Sequence, residues 1–362
     1  MINKLKVLIC VLNDSMGGAE QVLKMVAMHY SSLGYSIDVF FLTKSRGNLW
    51  RNIPDNISLH YTKTAKESKG FFQLYKNIKK KKCKYEYCYT SHIYMNSFIG
   101  ILRNFRLIKI KYHIGRDSRS YFLSEKGFKK VVYNFLINIG YQNLNLLISQ
   151  TQEMKLQFTK KKKKLSHKIN IKTIPNPVNW ELFKQNRSFE VIKSQEKMIV
   201  SAGRLIKIKG FDILIQAFHK LNLNNYKLII LGEGEERKNL EKLIQSLNLQ
   251  DRVELAGFVD NVYPYFKHAK MCVVSSRIEG FPNVLLQMMS QNTKVVSAKC
   301  AGGIENINGI FTCEADNVED LYNTMNRCLN TNTDPYRALF DIELKKRSIS
   351  EFIKSVEKYL NE

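Results

Sequence analysis

Four short segments of this chain combine residue types that bind anions or approach a ligand closely, and each follows what reads as a strand. Gly203-Arg204 closes the apolar run Met198–Ala202, and Lys209-Gly210 follows just before a helical pattern. An arginine fork and a compact lysine charge on one loop suit a diphosphate, although the same pair also fits two ordinary solvated loop cations. In Ser275-Ser276-Arg277-Ile278-Glu279-Gly280-Phe281-Pro282-Asn283 a strand ends in a tight glycine turn, with Pro282 placed as the first helical residue. The new helix would aim unpaired backbone N–H groups and its positive dipole end at an anion. Glu279 is suited to accept from sugar hydroxyls, or to serve simply as a helix-start carboxylate favoured by the dipole. Gly232-Glu233-Gly234 is half of a dinucleotide fingerprint, but Arg237 stands at the third glycine position, which argues against a nicotinamide cofactor. Gly17-Gly18, at a strand-to-helix turn, lets backbone approach a phosphate or a sugar closely, and also suits a plain turn.

The elements that must position these segments alternate along the chain. In the first half, strands are expected at Lys6–Leu12, Ser36–Leu42, Tyr85–Tyr89, Ile108–His113 and Asn145–Ser149. Between them, apolar residues recur at helical spacing from Ala19 to Leu33, near Tyr94–Asn104 and near Lys126–Ile139. Ile174-Pro175-Asn176-Pro177-Val178 forces an extended segment and marks a boundary. The alternation then restarts, with strands at Met198–Ala202, Lys227–Leu231, Arg252–Ala256, Met271–Ser275 and Lys294–Ala298. Helices are expected near Phe211–Leu221, Arg237–Leu247, Pro282–Ser290, Val318–Leu329 and Ser350–Leu360. The expectation is an α/β protein of two doubly wound, Rossmann-like domains facing across a cleft, residues 1–178 and 179–349.

Composition narrows the class. With 362 residues, 44 % hydrophobic and 25 % charged, the chain suits two globular domains and excludes global disorder. No run approaches the roughly 18–20 apolar residues of a membrane span, and the apolar start reads as a first strand rather than a signal peptide. The seven cysteines are scattered without a C-x-x-C pair, which argues against a disulfide scaffold or structural zinc. Net charge is +25, and it is unevenly placed. Residues 1–178 hold 32 basic and nine acidic residues, a net of +23, whereas residues 179–362 hold 25 and 23, a net of +2. A domain so cationic is expected to face a polyanion. Lysines 79–82 beside the apolar face Phe71, Leu74, Tyr75 and Ile78, together with Lys160–Lys164, favour an anionic membrane, although each run alone also fits a solvated surface. Nucleic acid is the rival polyanion, but no helix-turn-helix, zinc finger or aromatic RNA-binding signature accompanies the charge.

Taken in order, Gly17-Gly18-Ala19-Glu20, Ile174–Val178, Gly203-Arg204 with Lys209-Gly210, Gly232-Glu233-Gly234 and Glu279-Gly280-Phe281-Pro282-Asn283 resemble the pattern of family 4 glycosyltransferases. These are retaining, nucleotide-sugar-dependent enzymes of the GT-B fold that build bacterial cell-surface polysaccharides such as lipopolysaccharide or capsule. The resemblance covers nearly the whole chain, including a last helix, about 350–362, that in such folds packs back on the first domain.

The resemblance implies roles. Arg204 and Lys209 would hold the donor diphosphate, Glu279 would contact the donor sugar, and backbone from Phe281, Pro282, Asn283 and Val284 would meet the phosphates. Gly17 and Gly18 would close over the diphosphate. Gly232, Glu233, Gly234 and Phe258 would flank the base. His92 ends a strand where family members carry a histidine near the reacting sugar, and Arg116 occupies a neighbouring strand end that would touch acceptor or phosphate. The chain departs from the pattern at Gln287, where a second glutamate bonds the nucleotide ribose, and in a shortened connection from Gly302 to Gly309. No Asp-x-Asp occurs, so a metal-independent enzyme is expected, with a UDP-sugar ahead of a GDP-sugar as co-substrate and no further cofactor. The implied partner is a lipid-linked or polysaccharide acceptor, and the implied place is the cytoplasm, at the inner face of the cytoplasmic membrane. A catalytically silent scaffold of the same fold and a sugar-nucleotide epimerase are the alternative readings.

Overall fold

A computed structural model describes residues 5–15, 17–43, 47, 49–64, 67–118, 127–188 and 197–362. The chain forms two compact units: residues 1–178 with 347–362, and residues 179–346.

The first unit is built on seven parallel strands in the order β3-β2-β1-β4-β5-β6-β7. They are β1 (Lys6–Val11), β2 (Ser36–Phe41), β3 (Ile57–Tyr61), β4 (Lys84–Ser91), β5 (Lys109–Arg116), β6 (Leu146–Ser149) and β7 (Ile171–Thr173). β1 and β6 read as nearly continuous apolar runs because helices cover both faces of the sheet. The helix Gly18–Ser32 buries Ala19, Val22, Leu23, Val26, Ala27 and Tyr30 and ends at Leu33, where Gly34 takes φ +83°. Helices Ile93–Asn104 and Gly127–Gly140 cross at their backbones, since a Cβ on Gly100 would lie 1.7 Å from the Gly140 carbonyl oxygen. The chain returns to this unit at its end. Val178 N donates to Arg347 O at 2.8 Å and Ile349 N to Val178 O at 3.0 Å, so outgoing and returning segments run side by side. The helix Ile349–Leu360 then sets Phe352, Ile353 and Val356 into the same core as β1, β2 and β4.

The second unit has six parallel strands in the order β10-β9-β8-β11-β12-β13. They are β8 (Lys197–Ala202), β9 (Tyr226–Leu231), β10 (Val253–Gly257), β11 (Met271–Val274), β12 (Val295–Ala298) and β13 (Phe311–Cys313). Both sheets reverse direction of growth once, between β1 and β4 in the first unit and between β8 and β11 in the second. Ligands of doubly wound sheets bind outside the carboxyl ends of strands at such a reversal.

Candidate functional site

In the second unit the loops after β8 and β11, the two strands flanking the reversal, are sewn together. Gly210 takes φ +63°, and a Cβ there would lie 2.2 Å from the Ser275 carbonyl oxygen, so only glycine lets the turn approach β11. Arg277 N donates to Ile208 O at 2.8 Å, Arg277 Nη1 to Lys207 O at 2.7 Å, and Ser275 Oγ to Lys209 O at 3.0 Å. The Arg277 fork also grips both Asp212 carboxylate oxygens, at 2.8 and 2.7 Å. That hydrogen bonding raises the arginine's pKa above its ordinary value.

This framework brings Lys209 against Glu279. Lys209 Nζ donates to Glu279 Oε1, which also accepts from Ser276 Oγ at 3.0 Å. The lysine stem lies over Gly203, 3.4 Å from where a Cβ would stand. Arg204, the next residue, is exposed and makes no side-chain hydrogen bond or ion pair among the described residues. One open cation, one cation held by a carboxylate, and a hydroxyl thus cluster where β8 and β11 end. Behind them starts the helix Asn283–Gln291. Pro282 is its N-cap rather than its first helical residue, with ψ 103° still extended, a shift of one position from the sequence expectation. Phe281 is buried, while Asn283 and Val284 remain half-buried at the helix start.

Gly232 and Gly234 have a structural reason besides any ligand. A Cβ on Gly232 would lie 1.9 Å from Gly203 O, and one on Gly234 2.3 Å from Leu205 O, so both let the loops after β8 and β9 touch. Glu233 between them is held by Arg237 through two bonds, of 2.9 and 2.6 Å. The arginine that breaks the dinucleotide fingerprint is therefore the clamp on its acidic neighbour. Phe258, just beyond β10, stands 61 % exposed, available to a planar ring. Burial raises the Tyr263 pKa, and Gln287, half-buried on the helix Asn283–Gln291, lies beside the Tyr263 hydroxyl and favours its charged form against that burial. Sequence reasoning missed Tyr263, which lies in a short helix, Tyr263–His268, without a motif of its own.

In the first unit, residues following β1, β4 and β5 converge. His92 is the N-cap of the helix Ile93–Asn104, with φ 71° and ψ 145°. That region is nearly reserved for glycine and costs a side-chain-bearing residue on the order of 1–3 kcal/mol. Its Nε2 is 3.2 Å from Glu20 Oε1, and its Nδ1 is 2.7 Å from Ser118 Oγ. Burial alone would raise the Glu20 pKa, but the His92 hydrogen bond and charge, a backbone N–H and the Arg116 charge together hold it below the ordinary value. Gly17 serves this carboxylate directly: it is the N-cap of the helix Gly18–Ser32, and a Cβ on it would lie 2.2 Å from Glu20 Oε2.

Arg116, unlike Arg204, is enclosed by the protein. As the last residue of β5 it is 4 % exposed, and its Nη2 donates to Asn176 Oδ1, in the Ile174–Val178 segment. Its Nε and Nη1 are buried without a hydrogen-bond partner among the described residues. Burial lowers the Arg116 pKa to about 10 and raises that of neighbouring Asp117 to about 7. Each group shifts towards its neutral form, so desolvation outweighs their mutual attraction. Lys81, from the first basic run, is likewise engaged, 3.2 Å from the buried Asp38 carboxylate.

Two doubly wound parallel-sheet units in series give the chain a GT-B fold. Residues 183–346 match the family model described as Glycosyl transferases group 1. An uncharacterized glycosyltransferase of Methanocaldococcus jannaschii is 31 % identical over 54 % of this chain and 50 % of its own. The chain spans about half the length of the first curated relatives it matches. The Campylobacter jejuni N-acetylgalactosamine-N,N'-diacetylbacillosaminyl-diphospho-undecaprenol 4-alpha-N-acetylgalactosaminyltransferase is 26 % identical over 92 % of both chains. Among solved structures, Anabaena HepE in complex with UDP and glucose superposes with a TM-score of 0.78 at 18 % identity, covering 99 % of both chains.

Proposed function

We propose that this protein is a retaining glycosyltransferase that moves a sugar from a nucleoside-diphosphate donor to a lipid-linked or polysaccharide acceptor in cell-surface glycan synthesis. The observation that carries the reading is the cluster of Arg204, Lys209, Ser276 and Glu279 at the β8–β11 reversal, beside the start of the helix Asn283–Gln291. Arg204, Lys209 and the backbone N–H groups of that helix start hold the diphosphate and stabilise the charge it gains on leaving. The acceptor hydroxyl oxygen bonds to the anomeric carbon on the face from which the diphosphate departs. The departing diphosphate oxygen takes the hydroxyl proton, so the products are a glycoside of retained configuration and the nucleoside diphosphate, and the clamp does the work of a divalent metal. UDP-sugars are the first donors to test, since HepE, of like fold, holds UDP and glucose in its complex.

The acceptor half of the reading rests on charge and on the Campylobacter relative, whose name specifies a diphospho-undecaprenol substrate. Among the described residues no helix is long and apolar enough to cross a membrane. The helix Gly127–Gly140 nevertheless exposes Phe128, Val131 and Phe135 along one face, at 82, 63 and 62 %. Lys162 leans onto that helix, donating to Asn134 O at 3.2 Å and Asn138 Oδ1 at 2.9 Å, so the lysine run 160–164 borders the apolar stripe. Apolar residues ringed by lysines suit a peripheral position on an anionic leaflet, at the inner face of the cytoplasmic membrane. The test is transfer from a panel of nucleotide sugars to undecaprenyl-diphosphate-linked acceptors, with chelator present. A glycoside of retained anomeric configuration is expected. Epimerised donor without a new glycosidic bond, or a strict need for Mg²⁺ or Mn²⁺, overturns the reading.

A further inference from the structure

The carboxyl ends of β1, β4 and β5 bring together a glycine, a buried carboxylate, a histidine in a strained backbone and a serine, none of which the diphosphate clamp uses. Glu20 is 6 % exposed, and as an ionised carboxylate beside His92 and Arg116 it can only accept. The proton in its 3.2 Å contact with His92 must therefore sit on His92 Nε2. In the neutral ring Nδ1 then carries the lone pair, and Ser118 Oγ, at 2.7 Å, donates to it. Both ring nitrogens are engaged by the protein, one on each side. The backbone of His92, at φ 71° and ψ 145°, persists only because its surroundings over-determine it, and its carbonyl is held by Asn96 N at 2.9 Å.

We propose that Glu20, seated against Gly17, is a positioning residue that fixes the tautomer and orientation of His92 through its Nε2–H, so that His92 meets substrate as a rigid, already satisfied ring and not as a proton acceptor. The inference deepens the transferase reading and rests on it for its kinetic consequence. Its structural content stands apart from that reading, because the tautomer is a property of the protein alone. Gly17 supplies a clean lever. Its φ of −65° and ψ of 152° are open to alanine, yet the added Cβ would stand 2.2 Å from Glu20 Oε2 and must displace the carboxylate from His92. Gly17→Ala and Glu20→Ala should therefore have the same effect by different routes.

The experiment uses the full chain labelled with ¹⁵N-histidine and reads ring nitrogens by long-range ¹H–¹⁵N correlation, with the His92 signal assigned by its loss in His92→Gln. At a pH high enough that the ring is neutral, wild type should show a protonated Nε2 and an unprotonated Nδ1, and both Gly17→Ala and Glu20→Ala should shift that pattern towards tautomer exchange. The double variant should match Glu20→Ala. In transfer assays the two single variants should lose turnover by about 10- to 100-fold, the scale on which misplacing a reacting-site group acts, with the donor KM changed less than threefold. Thermal unfolding of each variant separates misfolding from mispositioning, and the wild-type tautomer is read even where a variant does not fold. An unprotonated Nε2 in wild type, an unchanged tautomer in a folded Glu20→Ala, or additive effects in the double variant overturns the proposal. If the spectra behave as expected and no nucleotide sugar is used, the transferase reading fails while the positioning geometry stands.

Discussion

Removing the charge of Glu279 should strengthen nucleotide binding while it impairs transfer. Lys209 and Glu279 are each 18 % exposed and bonded to one another, so an arriving diphosphate meets a lysine already neutralised and a carboxylate that repels it. Glu279→Gln keeps the volume and an acceptor for Ser276 but deletes the anion. A charge-assisted hydrogen bond contributes roughly 1.5–3 kcal/mol, of which the amide retains about half. Returning the rest to the phosphates should tighten UDP binding by about 1 kcal/mol, around fivefold. Lys209→Met removes the cation itself and should weaken binding by roughly 1.5–3 kcal/mol, ten- to over a hundredfold. Turnover should fall in both variants, because Glu279 loses its hold on the donor sugar in one and leaving-group charge goes uncompensated in the other. Calorimetric titration with UDP at fixed ionic strength measures the two binding constants. Weaker binding in Glu279→Gln by the same factor as in Lys209→Met would refute the competition, and the carboxylate would then be a support for the lysine.

Three further outcomes are expected. Asp117, held up near pKa 7 by burial against about 3.9 in an unfolded chain, keeps its proton in the folded state between those values. Stability should therefore be greatest below pH 4 as far as this group is concerned, and decline as pH rises through 7. Asp117→Asn should flatten that decline and gain on the order of 1–4 kcal/mol over wild type at pH 8, read by urea unfolding, and parallel pH slopes would contradict it. Phe352, 4 % exposed, anchors the returning helix in the first unit's core, so Phe352→Ala should cost about 3–5 kcal/mol there while leaving UDP binding within twofold. Replacing the exposed lysines 160, 161, 163 and 164 by glutamine, and sparing Lys162 for its contacts to Asn134 and Asn138, should weaken binding to anionic vesicles at least tenfold, at up to about 1 kcal/mol per charge. Equal binding of wild type to neutral and anionic vesicles would show that the charge has no membrane role.

How far the site was legible depended on whether its residues sat on a regular, locally punctuated element. β1, β8 and β11 could be read because buried parallel strands are apolar runs bounded by glycine or polar turns, and the groups after them followed at once: Arg204, Lys209, Glu279. Strands of three residues, Ile171–Thr173 and Phe311–Cys313, carry too little pattern to register, and the helix Gln152–Lys161 was hidden because its lysines mask an apolar face reduced to Met154 and Phe158. The partnerships were hidden for a different reason. His92 and Glu20 are 72 residues apart, and Lys209 and Glu279 are 70 apart, so no spacing rule links them; only the order in which parallel strands assemble does. That order also changes what the glycines mean. Gly17, Gly232 and Gly234 looked like backbone cleared for a ligand, yet each, like Gly210, is pressed against a protein oxygen: a carboxylate at Gly17 and main-chain carbonyls at the other three. In both units, then, glycine at the sheet reversal first allows neighbouring segments to close together. The groups left at each junction are an open arginine in one unit and, in the other, a strained histidine whose two ring nitrogens the protein already holds.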